Sequence, residues 1–328
     1  MTAMPAAHRA LVTAPFRGEG LDTLKELADV VLDPWIDYRP LRILDGPKLV
    51  DRIKQEGADI LIVESDFVND PVFDLPLVAI GSCRGDPNNV DTAAATKAGI
   101  PVLRAPGRNA DAVAEIAVTL LFAASRHVIP ADQDVRSDTV FKDDTIPYQR
   151  YRAWQVAGQT AGLVGLGAVG RALRWRLEGL GMKVVAYDPY ADDAKESLEQ
   201  VLEQADVISL HAAVTPETTG MISTDQFAAM KDGVVFLNTA REALHDRDAL
   251  VAALQSGKVA AAGLDHFTGE RLDTDHPLTK MSNVVLTPHI GGATYDTEAN
   301  HSRLIADDLA RLLAGERPLH IVNPEVLK

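Results

Sequence analysis

The chain has 328 residues, a length that favours about two domains over one or four. Its 32 basic and 47 acidic side chains give a net charge of −15, and its 46% hydrophobic and 24% charged residues match an ordinary globular protein rather than a disordered or fibrous one. The negative balance makes nucleic acid and anionic membranes unexpected partners, because clustered Lys and Arg drive binding to phosphate groups.

Short β-branched segments alternate with longer amphipathic segments over the first hundred residues. Adjacent parallel strands need a crossover of about a dozen or more residues, so this alternation predicts one small parallel α/β unit. The predicted strands are 10–14, 28–32, 59–63, 77–80 and 101–103, and the helical patterns include 20–27 and 91–98.

A second alternation begins after a helical pattern at 109–128 and a polar segment at 128–154, which we predict to be irregular. Six strand candidates with helical crossovers predict a complete doubly wound sheet. They are 160–164, 183–187, 207–210, 234–238, 260–264 and 284–287. A last amphipathic helix is predicted at 296–314.

The sequence GLGAVG at 165–170 follows the apolar segment TAGLV and opens into a helical pattern. Gly165, Gly167 and Gly170 permit a tight turn, a close approach of the backbone to a pyrophosphate, and close packing of helix on strand. The helix N-terminus adds amide donors for the phosphates. This context indicates a dinucleotide site, and a glycine-rich turn without a ligand is the open alternative.

Asp188 ends the next predicted strand, 18 residues after Gly170. A carboxylate at this point accepts hydrogen bonds from the ribose hydroxyls of NAD and repels the 2′-phosphate of NADP. The acidic residues of the following segment, PYADDAKE, favour NAD further. The alternative is that Asp188 merely caps the turn before Pro189.

Three later predicted strands run into polar side chains. Arg241 follows the strand VVFLN, Glu270 lies five residues after Asp265 at the end of AAAGL, and His289 follows NVVLT. Because the carboxyl ends of parallel strands form one edge of a sheet, we expect these side chains to converge on the cofactor. Taken singly, each has a plain alternative as a loop residue or a solvated surface charge.

The roles of the three side chains follow from the needs of hydride transfer. Oxidation of a secondary alcohol requires a base for the hydroxyl proton, which suits His289. Glu270 would fix the tautomer of that imidazole and stabilise its protonated form. Arg241 presents a planar fork that can bind a carboxylate through two hydrogen bonds. This chemistry needs no metal.

The motifs GLGAVG, YDP, HAAVTPETTGMI, NTARE, GLDHF and NVVLTPHIGGAT occur in the order and spacing of the D-isomer-specific 2-hydroxyacid dehydrogenases. The chain resembles the phosphoglycerate dehydrogenase branch of that family over nearly its whole length. The resemblance implies two doubly wound parallel-sheet domains: a Rossmann-type NAD domain at 105–292, inserted into a flavodoxin-like substrate domain made of 1–104 and 293–328. It also implies a catalytic cleft that closes against water.

The resemblance assigns individual residues as well. Those that match the family's catalytic triad are Arg241, Glu270 and His289. Those that match its NAD site or lie beside it are Gly165, Gly167, Ala168, Val169, Gly170, Asp188, His211, Thr215, Ala240, Asp265, Gly291 and Gly292. Family members are commonly homodimers through the cofactor domain, to which the segment 128–154 would contribute.

Two segments depart from the family pattern. The substrate loop reads RGDPNNVD at 84–91 where the family usually has Gly-x-Gly-x-Asp-Asn-x-Asp, and RAP stands in place of Asn-Thr-Pro before the linking helix. Our hypothesis is that Arg84 and Gly85 contact the substrate and that Arg84, with Arg104 or Arg108, binds an anionic or polyhydroxylated tail such as that of 3-phosphoglycerate. The alternative is that these arginines pair with local acids.

Three expectations complete the sequence reading. His266 stands where the family often has valine, which indicates a local packing or hydrogen-bonding role. An NAD-sensing, corepressor-like scaffold without catalysis is the alternative function, and the complete triad disfavours it.

The single cysteine, Cys83, excludes an internal disulfide, and the longest apolar run, 116–124, is shorter than the ~20 residues that span a membrane. A cytoplasmic location is therefore expected.

Overall fold

A computed structural model describes residues 8–327 and divides the chain into two compact units. Unit 1 comprises Met1–Arg108 and Thr294–Lys328, and unit 2 comprises Asn109–Ala293, so unit 2 is inserted into the sequence of unit 1. The sequence placed these two boundaries after residues 104 and 292. Among the described residues no single helix is long and apolar enough to cross a membrane, and one helix pair, bent by 64°, meets that test only jointly.

The elements in chain order begin with those of unit 1. They are β1 (Arg9–Val12), α1 (Glu19–Leu27), β2 (Asp29–Leu32), α2 (Gly46–Glu56), β3 (Ile60–Val63), β4 (Ala79–Ser82), α3 (Thr92–Ala98) and β5 (Val102–Leu103). Unit 2 contains α4 (Ala110–Ser125), α5 (Val128–Arg136), α6 (Pro147–Arg150), β6 (Thr160–Val164), α7 (Ala168–Gly179), β7 (Lys183–Tyr187), α8 (Leu198–Gln204), β8 (Val207–Leu210), α9 (Thr224–Ala229), β9 (Val234–Asn238), α10 (Arg247–Ser256), β10 (Val259–Leu264) and β11 (Val284–Leu286). Unit 1 resumes with α11 (Tyr295–Leu313).

The sheet of unit 1 has five parallel strands in the order β2-β1-β3-β4-β5. Successive strand side chains point to opposite faces, and both faces are covered. Ala10 and Val12 pack with Ile305 of α11, whereas Leu11 packs with Leu49 of α2 on the other side. A sheet buried on both faces explains why its strands are continuous apolar runs in the sequence.

The sheet of unit 2 has six parallel strands in the order β7-β6-β8-β9-β10-β11. One face carries a core that includes Phe236 and Leu250 of α10, and the other carries a core that includes Leu120 of α4 and Leu173 of α7. The prediction of two parallel-sheet α/β units is confirmed. In both sheets the first strand lies inside, with the second strand on one side and the third on the other, so each sheet has a topological switch point beside its first strand.

The segment predicted to be irregular contains the helices α5 and α6, so the prediction is wrong for 128–136 and 147–150. The helical pattern is interrupted because His127 adopts a left-handed conformation with φ of 54°. Asp134 on α5 then accepts hydrogen bonds from Lys142 Nζ (2.5 Å), Tyr151 Oη (2.5 Å) and Arg150 Nη2 (2.9 Å). The Lys142 and Tyr151 bonds hold the pKa of Asp134 well below its usual range. These bonds tie a polar segment into a fixed structure.

Candidate active site

The glycine turn at 165–170 joins β6 to α7, as predicted. Gly165 has φ of 100°, and a Cβ on it would lie 2.5 Å from the backbone nitrogen of Ala212. A Cβ on Gly170 would lie 2.3 Å from the carbonyl oxygen of Gly165. Both positions therefore need glycine for the fold itself. Gly167 differs, because a Cβ there would meet no atom within 4 Å. No atom of the described residues 8–327 requires glycine at 167, whereas a ligand against the backbone would.

Asp188 follows β7 and lies next to this turn. One of its carboxylate oxygens, Oδ2, accepts the backbone N–H of Leu166 (2.7 Å), and the other, Oδ1, accepts that of Tyr190 (2.8 Å). Each oxygen keeps a second lone pair for another donor. The predicted alternative, a cap for the following turn, accounts for the bond to Tyr190. The bond to Leu166 goes further and ties the carboxylate to the glycine turn.

The other predicted cofactor residues lie at the strand ends of the same sheet. Ala168 and Val169 begin α7, and Thr215 lies in an exposed turn where its backbone N–H donates to Thr218 Oγ1 (2.8 Å). His211 follows β8, its Nε2 is hydrogen-bonded to Ser209 Oγ (2.8 Å), and burial lowers the pKa of its ring to about 4. A neutral His211 adds no charge to the site.

His289 and Glu270 meet, as the sequence reasoning predicted. Nδ1 of His289 lies 2.9 and 3.0 Å from the two carboxylate oxygens of Glu270. Both residues adopt left-handed backbone conformations, with φ of 55° for His289 and 59° for Glu270. Such conformations in residues other than glycine carry strain and cluster at functional sites. The side chains are 40% and 61% exposed, so the pair is open to a ligand.

Asp265 fixes the loop that carries His289. Its buried carboxylate accepts three hydrogen bonds: from Thr287 Oγ1 (2.6 Å), from the N–H of Ile290 (2.9 Å) and from the N–H of Gly291 (2.8 Å). A Cβ on Gly291 would lie 2.8 Å from that carboxylate, so glycine is needed for this contact. A Cβ on the next residue of the loop, Gly292, would lie 3.1 Å from Asn109 Nδ2. Asp265 was predicted to line the NAD site, and its observed contacts are those of a loop anchor.

Arg241 lies on a turn that Asn238 shapes from the end of β9. The buried amide of Asn238 accepts the N–H of Ala240 (3.0 Å) and donates to the carbonyl of Arg241 (2.9 Å). The guanidinium of Arg241 is exposed and bonds to the carbonyl of Ala240 (2.7 Å). A rigid backbone thus presents an exposed cation at the same edge of the sheet as the His289–Glu270 pair.

Glu242 is a residue that the sequence reasoning missed. Its buried carboxylate receives Nε and Nη2 of Arg247 (2.7 and 2.6 Å) and the N–H of Thr268 (2.8 Å). Burial raises the pKa of Glu242, but these hydrogen bonds outweigh it and bring the pKa to about 2. Its own N–H donates to Nδ1 of His266 (3.2 Å). Glu242 therefore joins the loop of Arg241 to the loop of Glu270, a link across 26 residues that no local motif announces.

The arginines predicted to contact substrate lie in unit 1. Arg84 Nε donates to the carbonyl of Glu64 (2.6 Å) and its Nη1 to Asn88 Oδ1 (2.6 Å). Arg104 Nη1 is 3.4 Å from the carbonyl of Gly85. Arg108 pairs with the carboxylate of Glu64 at 2.7 Å, which is the local ion pair offered as its alternative.

Unit 2 matches a known protein family. The family model of the NAD-binding domain of D-isomer specific 2-hydroxyacid dehydrogenases matches residues 118–291, nearly the whole of unit 2. The chain belongs to this family. It is an NAD-dependent oxidoreductase of the 2-hydroxyacid dehydrogenase type, as the motifs predicted. The open space over Gly167 and the remaining acceptor sites of Asp188 fit the NAD that this domain binds.

Relatives of this dehydrogenase carry different substrate names. The glyoxylate reductase of Thermofilum pendens is 36% identical over 98% of this chain and 96% of its own length. The D-3-phosphoglycerate dehydrogenase of Archaeoglobus fulgidus is 38% identical over 75% of this chain, but the match spans only 47% of that longer protein. A crystal structure of a glyoxylate reductase from Paecilomyes thermophila has a TM-score of 0.76 at 27% identity, covering 98% of this chain and 100% of the other.

Proposed function

We propose that the protein interconverts a D-2-hydroxyacid and its 2-oxoacid, with His289 as the acid or base, Glu270 as its partner and Arg241 as the group that binds the substrate carboxylate. The observation that carries the proposal is the hydrogen-bonded pair of His289 and Glu270, at 2.9 and 3.0 Å, on loops that follow β10 and β11 of the sheet that also carries the glycine turn. An aligned imidazole and carboxylate are the machinery that proton transfer needs.

The roles follow from the contacts of the pair. NAD⁺ held by the glycine turn and Asp188 would supply the acceptor for the hydride of C2 of the hydroxyacid. His289 takes the hydroxyl proton on Nε2, because Nδ1 carries the hydrogen that Glu270 accepts. The negative carboxylate then stabilises the imidazolium, and C2 becomes the carbonyl carbon of the oxoacid. In the reducing direction His289 returns the proton to the oxygen.

Arg241 would hold the substrate carboxylate. Two parallel N–H···O bonds from a guanidinium fix both the position and the plane of a carboxylate. Its turn is braced by Asn238 and by Glu242, so the cation keeps its place without moving the backbone. This arrangement orients C2 of the substrate with respect to His289.

The glycine turn would receive the pyrophosphate and Asp188 the ribose hydroxyls. The remaining predicted cofactor residues would line the pocket; they are Ala168, Val169, His211, Thr215, Ala240, Asp265, Gly291 and Gly292. Gly167→Ala tests this assignment. The added methyl has space in the protein, so the melting temperature should not change while NAD affinity falls. Unchanged affinity in calorimetric titration would contradict it.

For the far end of the substrate we propose an anionic tail bound by Arg84 in unit 1, with Gly85 beside it. The support is the position of Arg84, two residues after the end of β4, and the two hydrogen bonds that fix its guanidinium plane. Arg84→Ala should lower kcat/KM for a phosphorylated hydroxyacid such as 3-phosphoglycerate more than for an unphosphorylated one such as glycerate. Equal losses of kcat/KM for both substrates would contradict the binding of a phosphate group by Arg84. That result would favour a substrate without phosphate, such as the glyoxylate in the names of two relatives.

We also propose a cytoplasmic homodimer. Its support is a group of exposed aromatic side chains in the segment 137–154 of unit 2: Phe141, Tyr148 and Trp154 are 79%, 78% and 83% exposed. A dimer interface would cover these apolar rings, and exposed apolar surface is a mark of protein–protein contact. Light scattering on the purified protein should give twice the 35.3 kDa mass of the chain, and Trp154→Ser should weaken the dimer. A monomer at all concentrations tested would reject the proposal.

The experiment that tests the whole function is a screen of 2-oxoacids by NADH consumption. Glyoxylate, hydroxypyruvate and 3-phosphohydroxypyruvate separate the candidate classes. Turnover that requires His289 supports the proposal. NAD binding without turnover of any 2-oxoacid would instead favour the non-catalytic scaffold.

A further inference from the structure

His266 lies directly after Asp265, where β10 ends, and its side chain is only 14% exposed. Nδ1 of this imidazole accepts the backbone N–H of Glu242 at 3.2 Å. A ring nitrogen that accepts a hydrogen bond carries no proton, so the neutral ring holds its proton on Nε2. The backbone of a neighbouring loop thereby selects the tautomer of His266.

The protonated nitrogen of His266 faces the proposed acid–base pair. Nε2 lies 3.9 Å from Oε1 of Glu270, which is beyond a hydrogen bond but within electrostatic reach. The rings of His266 and His289 meet edge to face, with centroids 4.9 Å apart and planes 72° apart. His266 therefore contacts both the carboxylate side and the ring of the pair.

The charges around His266 keep it neutral. Burial lowers its pKa first, and the positive charges of Arg241 and His289 lower it further. Glu270 and Glu242 act in the opposite direction, and Arg247 already neutralises Glu242. The third nearby acid, Asp265, faces the loop of His289 and has three donors of its own. A neutral His266 does not compete with His289 for the reacting proton.

We propose, on the basis of the function given above, that His266 is a positioning residue that directs its Nε2–H at Glu270 and buttresses the ring of His289. The positive end of this N–H dipole offsets part of the negative charge of Glu270. The carboxylate therefore stabilises a protonated His289 less strongly than it would without His266. Removal of this donor should therefore favour the imidazolium and move the acid limb of the kcat/KM profile for alcohol oxidation to higher pH.

The same three side chains also suggest a divalent metal site, because one ligand atom from each of His266, Glu270 and His289 lies within 4.8 Å of the others. The tautomer opposes this reading. A histidine that ligates a metal donates its other ring N–H outward, to a carbonyl or carboxylate. In His266 the outer nitrogen receives an N–H from Glu242, so coordination through Nε2 would set two N–H groups against each other.

Two substitutions separate the two ring nitrogens of His266. In His266→Asn the amide oxygen can replace Nδ1 as acceptor for Glu242, but no donor remains near Glu270. In His266→Gln the amide nitrogen reaches the position of Nε2 and keeps the donor. We expect the acid limb to move up by about half a pH unit in His266→Asn, a roughly threefold loss of kcat/KM below the midpoint, and to stay in place in His266→Gln.

The titration of the His289 ring signals by NMR, in protein without NAD, gives the same test without turnover. Its midpoint should move up in His266→Asn and remain in His266→Gln. Equal profiles for the wild type and His266→Asn would overturn the proposal, as would equal shifts in both variants or one equivalent of bound zinc in the purified protein. Because the NMR shift does not depend on catalysis, failure of the dehydrogenase assignment would be recognised separately, by the oxoacid screen.

Discussion

Each unit has a histidine near the segments that follow its parallel strands, and the two histidines have opposite surroundings. In unit 2, His289 is 40% exposed and bonds to the carboxylate of Glu270. In unit 1, His301 on α11 is fully buried, with Nε2 2.6 Å from the carbonyl of Pro15 and Nδ1 2.8 Å from Nη1 of Arg108. The imidazole of His289 lies beside an anion and is accessible to a ligand. The imidazole of His301 lies beside a cation and is not accessible.

Partners and burial, rather than residue type or place in the sheet, distinguish the histidine proposed to react from the structural one. Burial and then the charge of Arg108 lower the pKa of His301 to about 4. The Nε2–H of His301 is used for the carbonyl of Pro15, and Arg108 itself is held by Glu64. Every polar atom of this imidazole is therefore occupied by the fold, and none is left for a substrate.

The largest effect should come from His289→Ala. A positioned acid or base supplies about 10²–10⁴-fold in rate, so kcat should fall by that factor while NAD affinity and melting temperature change little. The matched change in unit 1, His301→Ala, removes two buried hydrogen bonds and should lower the melting temperature instead. Steady-state kinetics and thermal unfolding of both variants test this difference. Wild-type turnover in His289→Ala would contradict a catalytic role for His289.

The next effect is that of Arg241→Ala. Two charge-assisted hydrogen bonds to the substrate carboxylate amount to about 3 kcal/mol, or roughly a hundredfold in kcat/KM. Arg241→Lys keeps the charge but not the planar fork, so it should recover only part of the loss. In unit 1 the corresponding cation, Arg108, is already paired with Glu64, and Arg108→Ala should act on stability. Full recovery by lysine would argue against bidentate binding.

A third prediction uses the pH dependence of unfolding. The pKa of His301 is about 4 in the folded protein and 6.5 in an exposed chain, so between these values the unfolded state binds the extra proton. Stability should therefore fall as the pH drops from 6.5 to 4, by about 3 kcal/mol for this group. His211 and His245, with pKa values of about 4, act in the same direction.

His301→Gln should flatten this pH dependence by about one proton, because glutamine does not titrate in that range. His276→Gln, a change at a loop histidine, is the control. Urea unfolding between pH 4 and 7 gives the slopes. Equal slopes for the wild type and His301→Gln would mean that the buried imidazole is charged in the folded protein.

Of the substitutions in the proposed triad, Glu270→Gln should have the smallest effect on turnover. The amide can still accept the Nδ1 hydrogen of His289, but it no longer provides a negative charge for the imidazolium. The acid limb of kcat/KM for alcohol oxidation should move to lower pH by about one unit, with a milder loss of kcat than in His289→Ala. A shift in the opposite direction would contradict the role given to this carboxylate.

The sheets were predictable from the sequence because both are buried on both faces. Short apolar runs such as Ile60–Val63 and Val234–Leu237 between longer amphipathic segments then indicate strands, and the eleven strands of the described residues all overlap the predicted ones. The helix α5 was not predictable in the same way. Its sequence, VIPADQDVR, has a weak pattern, and the partners that order it lie up to 17 residues away around Asp134.

The meeting of His289 with Glu270 was predictable because parallel strands bring their carboxyl ends to one edge. The support behind the pair was not. Asp265 and Glu242 act through backbone N–H groups of distant loops, and such contacts depend on the exact course of those loops rather than on a residue pattern. The tautomer of His266 is a further case, since a single N–H of Glu242 determines it.

The interrupted course of unit 1 has a consequence for biosynthesis. Its helix α11 covers one face of the sheet through Ile305, and Leu103 bridges to Ile321, so a nascent chain lacks these pieces until the whole of unit 2 has been synthesised. All six strands of unit 2 leave the ribosome earlier. We expect protease-resistant unit 2 to appear on stalled ribosomes first, while the strands β1–β5 of unit 1 remain cleavable and exposed to chaperones until α11 has been synthesised.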